Sequence, residues 1–229
     1  KDQLDAFGGE PEPAHLLVAT SLHGEGVGCV ACHIRDGTVL TPTKPSLVGK
    51  VFHPTQHEPG LSESSFCAGC HQFNFQNHYP VHPFSYSGEP LQNTYVEWQS
   101  SGAAEHGVRC QDCHMPQGAH TFPGAHNAEL LRRSFSVDVE RVVDGIAIEL
   151  TASGVGHKVP TGDPFRRVML EVMEGEKRVY SYSLRRRYRM NHSSFTLVSD
   201  STLDVPQDGF QTGRSWTVRL QGAPTSWRL

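Results

Sequence analysis

The sequence predicts a mixed fold. Residues 1–133 read as a loop-rich region with few short helices, and residues 134–229 as an all-β, sandwich-like domain. Three observations predict it. Across 229 residues only 37% are hydrophobic, while Gly (22) and Pro (15) are frequent, so much of the backbone is turn and loop. All six cysteines fall in the first region, in three C-x-x-C-H motifs. From about Ser134 onward, apolar residues begin to alternate with polar ones, the period of a half-buried strand.

Composition bounds the function. The net charge of −4 leaves no footprint for nucleic acid. No apolar run reaches the length of a membrane span. The first residues, KDQLDAFGGE, have no apolar signal core, so an export signal, if the gene encodes one, is already removed. Histidine is unusually abundant, 14 against 20 Lys plus Arg.

The leader, residues 1–28, offers one short helix around Glu12 to Ser21. The glycines of 24-GEGVG-28 resemble a phosphate loop only loosely. They read instead as a place where backbone lies close to a bulky group. The motifs follow: Cys29, Cys32 and His33; Cys67, Cys70 and His71; Cys110, Cys113 and His114. C-x-x-C-H is the attachment signature of c-type haem. Each cysteine forms a thioether with one vinyl group of the macrocycle, and the adjacent histidine swings under the ring to bind iron. Three matches that use every cysteine outweigh a zinc site, which would need more pairing between motifs. They also outweigh a thioredoxin-like redox motif, whose βαβ context is missing. The expected cofactor is three covalent haem c groups, with His33, His71 and His114 as proximal ligands.

Between the motifs, 40-LTPTKPSLVGK-50 and 80-PVHPFSYSGEP-90 are turn-rich. Only 91-LQNTYVEWQSS-101 reads as helix, with Leu91, Tyr95 and Trp98 on one face. Aliphatic side chains are too few here for an ordinary core, so the haems themselves are expected to organise this region. Strands are expected through Phe135, Val137 and Val139, through Ile146, Ile148 and Leu150, through Val168, Leu170 and Val172, and through Trp216, Val218 and Leu220. Turns at 144-DG-145, 153-SGVG-156 and 174-EGEK-177 separate them, as in an immunoglobulin-like sandwich.

Three proximal ligands leave eleven histidines for the opposite faces of the irons: His15, His23, His53, His57, His78, His82, His106, His120, His126, His157 and His192. Methionine is the other choice, but Met115 abuts His114, and Met169, Met173 and Met190 lie in the strand region. Bis-histidine ligation follows for most of the haems. His15, His78 and His192 read as surface or hydrogen-bonding residues, and His57, His82 and His106 as partners of propionates or backbone.

The stretches 21-SLHGEGVGCVACH-33, 64-SSFCAGCHQF-73, 92-QNTYVEWQSS-101, 108-VRCQDCHMP-116, 120-HTFPGAH-126 and 156-GHKVPTG-162 resemble bacterial multihaem c-type cytochromes with a C-terminal β-domain. The resemblance spans roughly residues 21–165. It implies that a histidine shortly before a motif, in an S-x-H context, binds another haem; here that is His23. At the third motif the same slot is 101-SGAA-104, which departs from the family pattern. The family's H-x-x-x-G-x-H and G-H-x-x-P-T-G contexts map onto His120, His126 and His157, and His53 in 52-FHPTQH-57 matches a further family position. The order for distal ligation is His157, His53, His23, His126, then His120. Three irons leave at least two of the five with another role, or reaching into a second molecule.

The run 184-LRRRYR-189 reads as a solvated strand edge, with pairing to propionates or to an acidic partner as the alternative. The sequon 191-NHS-193 carries no weight in a chain of bacterial character. The expected function is electron transfer through closely spaced haems, without substrate chemistry. Haem attachment of this kind implies export to the periplasm or the cell exterior. Partners would be redox proteins or like subunits, as in a conducting polymer. The competing class is a multihaem reductase or oxidase of a small nitrogen or sulfur compound, which requires an open iron.

Overall fold

A computed structural model describes residues 27–44, 55–77, 85–191, 194–207, 210–219 and 226–228. The expected helix over Glu12 to Ser21, and the candidate ligands His23 and His53, lie outside the described residues. The chain divides into two compact units, residues 1–62 and 63–229. Many short strands and a few short helices make the fold mixed and loop-rich.

In the first unit, helix α1 (Cys29–His33) runs directly into a small hairpin of β1 (Ile34–Arg35) and β2 (Thr38–Thr41). Asp36 and Gly37, at φ 48° and 74°, make the left-handed two-residue turn that matches the strand twist. Strand β3 (Thr55–His57) lies parallel to β2. A 3-10 turn covers Pro59–Ser62.

The second unit begins with α2 (Ser64–His71), followed by the antiparallel strands β4 (Phe73–Gln76) and β5 (Tyr86–Gln92). The single helix expected over 91–101 is thus divided. Leu91 and Gln92 belong to β5, where Gln92 pairs with Phe73, so helix α3 (Thr94–Gln99) starts only after Asn93. Ser101 then caps a further turn, α4 (Gly102–Glu105), accepting the Ala104 amide. Helices α5 (Cys110–His114) and α6 (Ala128–Ser134) follow, the latter capped by Asn127, whose Oδ1 accepts the Leu130 amide at 2.8 Å.

Beyond α6 the alternating pattern forms strands as expected. β6 (Phe135–Val142), β7 (Gly145–Ser153) and β12 (Gln211–Arg219) make one antiparallel sheet in the order β12-β7-β6. β8 (Val168–Glu174), β9 (Lys177–Leu184) and β13 (Ser226–Arg228) make a second, in the order β13-β8-β9. Ile146 and Ile148 of β7 and Val218 of β12 share one apolar cluster with Leu170 and Val172 of β8, so the two sheets face each other. Leu150 and Ala152 continue the inward face of β7 into a second cluster with Val159, Leu184 and Leu203. A separate hairpin, β10 (Arg186–Asn191) with β11 (Ser194–Asp200), lays Tyr188 and Phe195 against Phe75 of β4, at ring separations of 4.8 and 4.3 Å.

Two close approaches join the helices to the strand region. A Cβ on Gly102 would fall 1.6 Å from the Gln207 carbonyl oxygen, and one on Gly156 would fall 2.9 Å from the Ala103 methyl. Both positions therefore require glycine, for proximity rather than for backbone angle.

Candidate haem centres

All three motifs fold as a helical turn that ends on its histidine. Residues at i, i+3 and i+4 share a helix face, so this turn presents both thiols and the imidazole on one side. None of the six cysteines is in a disulfide, and Cys29, Cys70 and Cys113 are exposed.

The histidine rings are oriented by backbone carbonyls. Nδ1 of His33 meets the Leu40 carbonyl at 2.9 Å, across the hairpin that follows α1. Nδ1 of His114 meets the Pro123 carbonyl at 2.7 Å, and Nδ1 of His157 meets the Lys158 carbonyl at 2.9 Å. A carbonyl only accepts, so each Nδ1 donates its proton and Nε2 carries the lone pair. That tautomer and orientation are what a metal-binding imidazole uses. Burial pushes the His71 imidazole below the usual histidine pKa, and nearby His114 adds to the effect. Burial does the same at His157; its carbonyl bond and Glu97 oppose the shift, while His114 and His71 reinforce it. A lowered value favours the neutral imidazole, the form that binds a metal.

His157 faces His114. Their ring centroids are 6.4 Å apart and their planes differ by 12°. Two metal–nitrogen bonds of about 2 Å each, plus about 1 Å from each nitrogen to its ring centre, require about 6 Å between centroids. The residues present therefore fit an iron between His114 and His157, with Cys110 and Cys113 on the His114 side. Among the described residues, no three His, Cys, Asp or Glu side chains converge as a metal cage. A porphyrin site needs no such cage, because the macrocycle itself supplies the equatorial nitrogens.

The second and third motifs lie side by side. The Cys110 amide donates to Ser64 Oγ at 3.1 Å, and the Gln111 side chain donates to the Glu63 carbonyl at 2.8 Å. The Cys67 and Cys110 side chains are hydrogen-bonded. That bond, with smaller contributions from Ser64 and His114, draws the Cys110 thiol down to about 6 against the opposing effect of burial.

The remaining histidines of the described residues sit in other surroundings. His120 is exposed, with its ring edge-on to Phe122 at 6.2 Å, and His126 is exposed in the turn before α6. His57 and His106 bond the carbonyls of Pro42 and Gly102, at 3.2 and 2.7 Å. The arginine run divides: Arg187 and Arg189 are exposed, whereas Arg186 is buried beside Glu97. Arg186 belongs to the run expected to be a solvated edge, and its burial departs from that reading; Glu97 and Thr161 were not singled out as its partners, because polar residues on a short helix, a loop and a strand give no local sign that they meet. The hairpin that orients His33 did carry a signal, the Asp36-Gly37 pair flanked by Ile34 and Val39.

The fold is similar to that of a known haem protein. The solved structure is a penta-heme cytochrome c552 from Thermochromatium tepidum, with a TM-score of 0.53 and 20% identity over 93% of this chain. The present chain spans 56% of that protein's length. No family model and no curated protein matches the sequence. No helix among the described residues is long and apolar enough to cross a membrane.

Proposed function

We propose that this chain transfers electrons through three covalent c-type haems. They are attached at Cys29 and Cys32, at Cys67 and Cys70, and at Cys110 and Cys113, with His33, His71 and His114 as proximal ligands. His157 closes the iron above His114, so residues 134–229 act as a β-domain that donates a ligand to a haem region running to about residue 133. The observation that carries this reading is the opposed pair His114 and His157, 6.4 Å apart with near-parallel rings. When bound, each haem supplies a one-electron couple. The chain's own part is to fix the ligand rings by their carbonyl bonds and to hold the second and third attachment sites together through Ser64 and Gln111.

The proximity of those two sites supports a short path between haems. The exposed thiols and the fold likeness support haem c as the cofactor. Covalent attachment implies an exported protein, periplasmic or extracellular. Its partners are redox proteins or further copies of the chain, the latter if His23, His53, His120 or His126 completes an iron in a neighbour.

The test is an intact mass and an optical spectrum of the exported protein. The expected mass exceeds that of the bare chain by three haems, and carbon monoxide added to the reduced protein leaves the Soret band in place. A bare-chain mass would overturn the haem reading. A shifted Soret band would reveal an open iron and favour the reductase or oxidase class.

A further inference from the structure

The segment from Gly156 to Gly162 is held at five points. Gly156 lies against Ala103 and Trp98, where a Cβ would meet them at 2.9 and 3.6 Å. Lys158 Nζ pairs with Asp200 at 2.8 Å. Val159 exchanges backbone hydrogen bonds with Leu203, at 3.4 and 2.7 Å. The last two points lead to a buried cluster. Thr161 Oγ1 donates to Glu97 Oε2 at 2.5 Å and contacts Thr94 Oγ1 at 2.8 Å. The Arg186 guanidinium donates to the Gly162 carbonyl and lies 4.0 Å from Glu97 Oε1.

Glu97 is 3% exposed and Arg186 is 8% exposed. A buried carboxylate and guanidinium cost much to desolvate, and such a pair is seldom more stabilising than an apolar one of the same size. Stability alone is thus a poor account of why these two charges lie beneath a segment that carries His157.

We propose that Glu97 and Arg186 form a positioning pair for the haem attached at Cys110 and Cys113. Through Thr161 and Gly162 they fix the height and orientation of His157 over His114, and their opposed charges set that haem's reduction potential. This rests on His157 being an iron ligand, as proposed above. The electrostatic part has a definite sign. The ferric haem carries one more positive charge than the ferrous, so a nearby carboxylate favours the oxidised form and a guanidinium favours the reduced form. Neutralising Glu97 raises the potential; neutralising Arg186 lowers it. A purely structural role, in which either substitution merely loosens the loop, would move both variants in the same direction.

The experiment compares E97Q, R186M, T161V and H157A with the parent, all as haem-loaded protein. It uses redox titration, low-spin against high-spin absorption, and hydrogen exchange of the 156–163 peptide. E97Q keeps an acceptor for Thr161 and is expected to stay low-spin with one of the titration steps shifted upward. R186M is expected to shift the same step downward. T161V, which loses the hydroxyl's bonds to Glu97 and Thr94, is expected to exchange the 156–163 amides faster than the parent. H157A is expected to convert one haem to high-spin. If H157A leaves every haem low-spin, the ligand assignment falls and this inference falls with it. If H157A opens a haem while E97Q and R186M shift no step, or shift it in the same direction, the ligand assignment stands and the positioning pair is refuted. Unchanged exchange in T161V would refute the mechanical half.

Discussion

Replacing Gly102 by alanine tests whether the seam between α4 and the 206–207 segment is as tight as the structure shows. The added Cβ would lie 1.6 Å from the Gln207 carbonyl oxygen and 2.7 Å from its carbon. Both are backbone atoms, so no side chain can turn aside, and the two segments must part by about 2 Å to reach ordinary contact. That displacement breaks the bond from the Gly102 amide to the Pro206 carbonyl (3.0 Å) and the one from Gln207 Nε2 to the Ser100 carbonyl (3.0 Å). Two hydrogen bonds at about 1 kcal/mol each, together with about 1–3 kcal/mol for overpacking, predict a loss of about 3–5 kcal/mol. The internal control is Gly107→Ala. Gly107 has φ +71° but open space around its Cβ, so only left-handed strain of about 1–2 kcal/mol applies. The assay is urea unfolding of both variants followed by far-ultraviolet circular dichroism. If Gly102→Ala proves no more destabilising than Gly107→Ala, the seam is looser than described and the steric argument fails.

Two further predictions concern the strand region. Leu150 is fully buried in β7, between the facing sheets, so Leu150→Ala is expected to cost about 2–5 kcal/mol by thermal melting; a loss below about 1 kcal/mol would mean that the second apolar cluster is not closely packed. At Asp200, burial favours the protonated carboxyl, but the Lys158 ammonium and the Thr202 hydroxyl and amide outweigh it and hold the pKa below the usual aspartate value. A depressed carboxyl stabilises the fold above its unfolded value of about 3.9, and the contribution disappears as pH falls through the lower folded value. The melting-temperature advantage of the parent over Asp200→Asn should therefore be constant near pH 6 and shrink below about pH 4. An advantage independent of pH would exclude the ionised carboxylate as its source.

Much of the candidate site was legible because its chemistry is local. The two cysteines and the histidine of a C-x-x-C-H motif lie within one helical turn, so spacing alone places Cys110, Cys113 and His114 on a common face. The strands were legible for a similar reason: side chains alternate across a sheet, and Ile146, Ile148, Leu150 and Ala152 repeat every second residue along the buried face of β7. The 91–101 segment reads differently in the fold because its helical spacing says nothing of the ladder to β4 that draws Leu91 and Gln92 into β5.

From sequence alone come the three C-x-x-C-H motifs and the change at Ser134 to a two-residue period, since both depend on neighbours a few residues apart. Which histidine stands opposite His114, which of four arginines is buried, and how Glu97 comes to hold Thr161 were decided only by the tertiary structure. Those partners are distant along the chain, and each is matched to the other by the packing of sheets, loop and helix that brings them within a few ångströms.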